Sequence, residues 1–255
     1  EQTHQLDVYT PEGDSEGTRP LVILAHGGGF TGGDRLGMES LADYLARSGY
    51  VVASISYRLI DVEPTPEIML QGVWDAVLDM KAAVRFFRAD ASNGNGYGID
   101  ANKIFVGGYS AGAFMALHLA YMNAEAEFEA AGGTNFVQYV ADNGGIEGNS
   151  GSPGVSSEVR GVINLAGALK FADFVDAGEA PLVSAHGTAD DVVPIGEGDA
   201  DNSGVITQGS GLIHPVATQV GVENELISVE DGGHDVLGEC DECPSQIRSF
   251  IFRQF

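Results

Sequence analysis

Short apolar runs alternate along the whole chain with stretches in which apolar residues recur every three or four positions. The runs predict seven strands, at 4–9, 20–26, 50–57, 103–107, 159–166, 182–186 and 225–230. Several are apolar at consecutive positions (Leu21, Val22, Ile23 and Leu24; Val51, Val52 and Ala53), the pattern of a strand covered on both faces. Helical spacing predicts helices at 38–48, 73–91, 111–122, 212–220 and 244–255, clearest where Val77, Met80, Val84 and Phe87 recur. Such alternation predicts the α/β class, a mostly parallel central sheet with helices on both faces. No internal repeat is visible.

Two stretches break the rhythm. Residues 125–157 are rich in Gly, Ser and Asn, and 195–211 in Gly and Asp; both read as loop insertions, because strand–helix alternation resumes after each. The 255 residues therefore read as one domain, 1–255, carrying two insertions.

Candidate chemistry sits where predicted strands end. Gly108-Tyr109-Ser110-Ala111-Gly112 follows a strand and opens a helix. A turn that sharp strains the serine, the glycines let the backbone pass closely, and the helix N-terminus behind favours negative charge. A serine hydroxyl needs a general base within hydrogen-bond reach to act as a nucleophile. Of six histidines, His234 follows the last predicted strand on a glycine turn and is the expected base. His4 lies on the first strand, His118 on a helix face where it packs or meets solvent, and His214 in the helical run after the second insertion. Asp190, in the turn after strand 182–186, is the expected orienting acid, with Asp191 in reserve; it would hold the imidazole tautomer and stabilise the imidazolium.

His26-Gly27-Gly28-Gly29-Phe30 ends another strand. Consecutive glycines let amide groups turn toward a carbonyl oxygen, so the amides of Gly28 and Gly29, with that of Ala111, form the expected oxyanion hole. His26 is expected to brace this loop. Phe30, Trp74 and Tyr109 are candidates for the substrate pocket, with Phe30 and Tyr109 adjoining the catalytic motifs.

On these residues the chain resembles the α/β-hydrolase superfamily over nearly its whole length, and within it bacterial carboxylesterases related to the hormone-sensitive lipase group. The carriers are His26 to Gly29, Ser56-Tyr57-Arg58-Leu59, the run DMKAAVRFFR at 79–88, Gly108 to Gly112, and His186 to Pro194. The resemblance implies cleavage of short acyl esters through an acyl-serine intermediate, without a cofactor. It also has limits: only 25 residues precede His26, and the segment after 159–166 is short, so little or no cap domain is expected unless 125–157 folds over the site. An open site would suit a bulky alcohol portion, such as a polysaccharide or polyester chain. The rival readings are a serine peptidase or amidase on the same fold and a non-catalytic binding domain.

Charge and cysteines add the setting. With 37 Asp and Glu against 12 Lys and Arg, the formal net charge is −25, which repels phosphate backbones and excludes nucleic acid as an expected partner. No apolar run reaches the roughly 18 residues of a membrane-spanning helix. The two cysteines, Cys240 and Cys243, cannot complete a four-ligand zinc site by themselves and are expected to form a short disulfide. That agrees with a secreted or periplasmic mature chain, as does numbering that opens at Glu1. The run 199–210 offers calcium-type oxygens at its first, third and fifth positions, but Ser210 stands where a bidentate Glu belongs; an acidic surface turn is the expected reading, and no metal is assigned.

Overall fold

The computed structural model describes residues 3–13 and 17–255. In chain order the elements are β1 (Leu6–Tyr9), β2 (Arg19–Ala25), α1 (Glu39–Arg47), β3 (Val51–Ile55), α2 (Pro66–Ser92), β4 (Ile99–Tyr109) and α3 (Ala111–Tyr121). Then follow α4 (Glu125–Asp142), β5 (Gly161–Leu165), β6 (Ala168–Leu169), β7 (Leu182–Gly187), β8 (Glu197–Asp199) and β9 (Ile206–Gly209). The chain ends with α5 (Ser210–Val220), β10 (Asn224–Val229), α6 (Val236–Glu239) and α7 (Cys243–Arg253).

Seven strands form one sheet in the order β1-β3-β2-β4-β5-β7-β10, parallel except for the antiparallel edge pair β1–β3. All seven predicted strands and five predicted helices are present. Side-chain alternation divides the core: Leu21, Ile23 and Ala25 face α2 and α3, whereas Val22 and Leu24 face α1 and α7. This two-sided covering is why the central strands are apolar without a break.

The chain steps from β2 to β3 on one side and then returns to pair β4 with β2 on the other. At such a reversal the loops leaving the two carboxyl ends diverge and open a crevice. The glycine loop after β2 and Ser110 after β4 both lie there. Close approach is needed to bring them together: a Cβ on Gly112 or Gly108 would collide with the Ala25 carbonyl. Helix α3 is therefore pressed into the sheet and buried on nearly every side.

Both insertions differ from the expected loops. The first begins with α4, where Glu127 accepts from the amides of Asn123 and Ala124, and Phe128, Ala131, Phe136 and Val140 enter the core. Gly133, at φ 69°, breaks the helix and disguises its periodicity. The remainder, 143–158, is clamped by α2: Lys81 Nζ donates to the Ile146 carbonyl at 2.8 Å, Arg85 to those of Glu147 and Ser150, and Arg88 to those of Ser156 and Glu158. The second insertion holds β8 and β9, which join β6 in a small antiparallel sheet. A disulfide links Cys240 and Cys243 at the start of α7.

Candidate active site

Ser110 occupies the turn between β4 and α3 with φ 54° and ψ −120°, a conformation that costs a non-glycine residue on the order of 1–3 kcal/mol. The surroundings hold it there. Its amide donates to the Leu165 carbonyl at 2.8 Å, and its carbonyl accepts from Ala113 and Phe114. The hydroxyl is thereby presented above the sheet rather than along the helix.

His234 Nε2 lies 2.9 Å from Ser110 Oγ, and His234 Nδ1 lies 2.8 Å from Asp190 Oδ2. Since the carboxylate only accepts, Nδ1 carries the proton and Nε2 is free to accept from the serine. Asp190 is buried, and its Oδ1 accepts from the amides of Val192 and Val193, both at 2.9 Å. Burial pushes its pKa up, but hydrogen bonds from His186, His234 and the Val193 amide outweigh this and hold it well below the usual carboxylate range. Asp191, the alternative acid, is exposed beside it.

Gly28 and Gly29 take φ values of 118° and 58°, open to glycine, and Phe30 follows at φ 63°. The Gly28 carbonyl accepts from Thr31 and Gly32, which turns the loop back on itself. Among the described residues no hydrogen bond engages the amides of Gly28, Gly29 or Ala111. His26 stacks on Tyr57, with ring centroids 4.3 Å apart, and its Nδ1 donates to the Gly27 carbonyl at 2.7 Å, so it braces the loop from below.

A cavity of about 750 Å³ opens onto Ser110. Buried Phe30, Ala111 and Phe114 form its inner wall, and Ile60, Met69 and Val73 from one segment and Val193, Ala200, Val205 and Thr207 from another add to the lining. Asp61, Glu63 and Asp201 stand on its more exposed side. Of the two insertions, the second is the one that contributes to this lining. The first reaches a different groove, lined by Asn143, Asn149 and Ser150 together with His4, Arg58 and Phe86 on the first strand's side of the molecule.

Two expectations for the pocket change. Tyr109 does not line the cavity; its ring packs against His234, with centroids 5.1 Å apart. Burial, with Asp235, Asp190 and Glu239 nearby, pushes its pKa up to about 12, so it stays neutral. Trp74 is core, edge-on to Phe128 and beneath Lys81. His118 packs, one of the two expected placements, and also lines the cavity; its Nδ1 donates to the Phe114 carbonyl at 2.8 Å, and its Nε2 accepts from the Lys170 amide at 3.1 Å. These are tertiary placements that helical spacing does not report.

In the run 199–210, Asp199 accepts from Ser203 Oγ and the Gly204 amide. Among the described residues no group of three His, Cys, Asp or Glu side chains gathers to hold a metal ion. Among the same residues no helix is long and apolar enough to cross a membrane.

The strand order and the crevice at the β2–β4 reversal, occupied by a strained serine, define the α/β-hydrolase class. Within that class the chain belongs to the BD-FAE family, whose model matches residues 6–148. It is 36% identical over 100 residues to gut esterase 1 of Caenorhabditis elegans, a match covering 37% of this chain and 17% of the relative. It is 34% identical over 116 residues to phenmedipham hydrolase of Pseudarthrobacter oxydans, covering 45% of this chain and 22% of the relative. The chain thus spans less than a quarter of the length of either curated relative. The fold is shared more widely. A propionate-bound thermophilic esterase from Thermogutta terrifontis superposes with a TM-score of 0.71 at 20% identity, covering 98% of this chain and 87% of the other. A truncated carbohydrate esterase from gut microbiota gives 0.71 at 20% identity, covering 98% and 90%.

Proposed function

We propose that the chain hydrolyses carboxylic esters through a Ser110–His234–Asp190 triad and an acyl-serine intermediate. The observation that carries this reading is the unbroken chain of contacts, 2.9 Å from Ser110 to His234 and 2.8 Å from His234 to Asp190, beside three unengaged amides. His234 takes the proton of Ser110 as Oγ attacks the ester carbonyl. The amides of Gly28, Gly29 and Ala111 receive the oxyanion, each donor contributing about 3 kcal/mol to the transition state. Protonated His234 then gives its proton to the departing alcohol, and water repeats the sequence to free the acid. Asp190 stays ionised throughout and stabilises the imidazolium.

The favoured substrates are short-chain acyl esters, with a carbohydrate or polyester alcohol portion accommodated at the open side of the cavity. The esterases among its relatives and the apolar inner wall support this reading. A secreted or periplasmic setting is proposed with it, supported by the disulfide and the acidic surface. The test is a panel of chromogenic esters of increasing acyl length, sugar acetates, a polyester film and a peptide anilide, run beside fluorophosphonate labelling and a Ser110→Ala control. Ester turnover and labelling, both abolished in Ser110→Ala, are the expected result. Anilide turnover matching ester turnover, or labelling that persists in the variant, would overturn it.

A further inference from the structure

A second histidine reaches Asp190 from inside the protein. His186, on β7 and fully buried, has Nε2 2.8 Å from the Val193 carbonyl and 3.4 Å from Asp190 Oδ2, the oxygen that also meets His234. Both neighbours only accept, so the proton resides on Nε2. Nδ1 of the neutral ring must then accept, and it lies 2.8 Å from Ser210 Oγ at the start of α5. The Ser210 oxygen accepts in turn from Asn164 Nδ2 at 3.0 Å, and the Gly167 amide donates to Asn164 Oδ1 at 2.9 Å. Asn164, His186 and Ser210 are all fully buried. The hydrogen bonds of this chain have a set direction: the sequence of donors ends on the Val193 carbonyl, with Asp190 Oδ2 the second, longer neighbour of the same N–H at 3.4 Å.

We propose that His186 is a positioning residue for the hydrolytic reaction: held in one tautomer by Ser210 and Asn164, it anchors its N–H on the Val193 carbonyl, presents the same N–H to Asp190 Oδ2 at 3.4 Å, and so aims that carboxylate at His234. This rests on the triad reading above. Asp190 Oδ1 is already taken by the amides of Val192 and Val193, and Oδ2 lies between the hydrogen bond from His234 at 2.8 Å and the N–H edge of His186 at 3.4 Å. A buried carboxylate flanked in this way has one orientation. The shared donor also draws negative charge away from the His234 contact. Without it, Asp190 would bind the imidazolium more strongly, and the acid limb of kcat/KM would move to higher pH. The other groups near this cluster are Tyr109 from β4, Asp235 and Glu239 from the α6 side, and His214 from α5; they are common to the native chain and its variants.

Kinetics on a p-nitrophenyl butyrate ester across pH test this. His186→Met, which has no donor, should lower kcat by about 10- to 100-fold with KM within about two-fold, and shift the acid limb upward. His186→Gln, whose amide restores a donor, should recover most of the rate. If His186→Met lacks a cooperative thermal transition, Ser210→Ala should show the same direction of change, with a loss of about three- to ten-fold. Native kcat and a native acid limb in the folded Met variant, or in Ser210→Ala, overturn the assignment. So does a Gln variant as impaired as the Met variant with an unmoved limb, which marks a packing role alone. Fluorophosphonate labelling separates the two levels: an unlabelled native chain overturns the hydrolase reading and this assignment with it, whereas a labelled native chain beside unaffected variants overturns the assignment only.

Discussion

The Tyr57 hydroxyl donates to the carbonyl oxygen of His26 at 2.8 Å while the two rings stack. This one side chain, from the segment just after β3, ties down the backbone immediately before the glycine loop. Removing the hydroxyl in Tyr57→Phe leaves a buried carbonyl without its partner, which costs about 1–3 kcal/mol of stability. The loop amides then lose part of their fixed aim. Thermal denaturation should show the loss, and ester kinetics should show kcat reduced several-fold with KM little changed. A variant with native melting and native kcat would show that Gly28 and Gly29 are held by other means.

Acid should destabilise the fold through His118. Burial is the main cause that pushes its pKa down to about 4, below the 6.5 of an unperturbed imidazole. Above about pH 6.5 the folded and unfolded chains both hold it neutral, and nothing changes. As pH falls from 6.5 toward 4, the unfolded chain takes up a proton that the folded one refuses, so stability falls by on the order of 1 kcal/mol per pH unit. His26 and His214, also held low chiefly by burial, add to the same slope. Denaturant titrations between pH 7 and 4.5 should show the decline, and His118→Gln should flatten part of it. An identical slope in the variant would exclude His118 as a source.

Acyl groups that carry a negative charge should be poor substrates. Asp61, Glu63 and Asp201 line the exposed side of the cavity, and the nearby Lys170 ammonium is turned onto the Ile206 carbonyl at 2.9 Å. Against a net charge of −25, a p-nitrophenyl hemisuccinate should show kcat/KM about ten-fold or more below the butyrate at low salt. Raising the ionic strength to about 0.5 M should narrow the gap by screening. Equal rates at low salt would mean that these carboxylates do not face the acyl path.

The disulfide should matter modestly. Cys240 and Cys243 close a very short loop, for which chain entropy gives about 2 kcal/mol. Replacing both with alanine should lower Tm by roughly 5 °C. Reductant should do the same to the native chain and nothing further to the double variant. A melt indifferent to reductant would show that the bond does not contribute in solution.

The elements were legible because their signals are local. Strand 20–26 is seen as Arg19–Ala25, and helix 111–122 as Ala111–Tyr121. β4 runs longer than its apolar run, from Ile99 to Tyr109, because Ile99 pairs back to Arg19 across a bulge. Helix α4 was hidden by Gly132 and Gly133: two poor helix formers at its centre, with φ 69° at the second, break the spacing that would reveal it.

For the candidate site, residue types and their order were readable because each stands next to a strand end, and strand ends in a parallel sheet converge on one edge. Ser110, Asp190, His234 and the glycines of 27–29 needed nothing more. Which side of His234 Tyr109 would occupy, and which insertion would line the cavity, were decided only in three dimensions. Nothing local distinguishes a ring that lines a cavity from one that backs an imidazole. The contact between His186 and Asp190 depends on the chain curling back after β7, and its tautomer depends on Ser210 and Asn164, 24 and 46 residues from each partner in turn. Periodicity and turn chemistry act over a few residues and so set the elements and the strand ends. Directed hydrogen bonds in a buried core join segments far apart in sequence, and only packing brings those together.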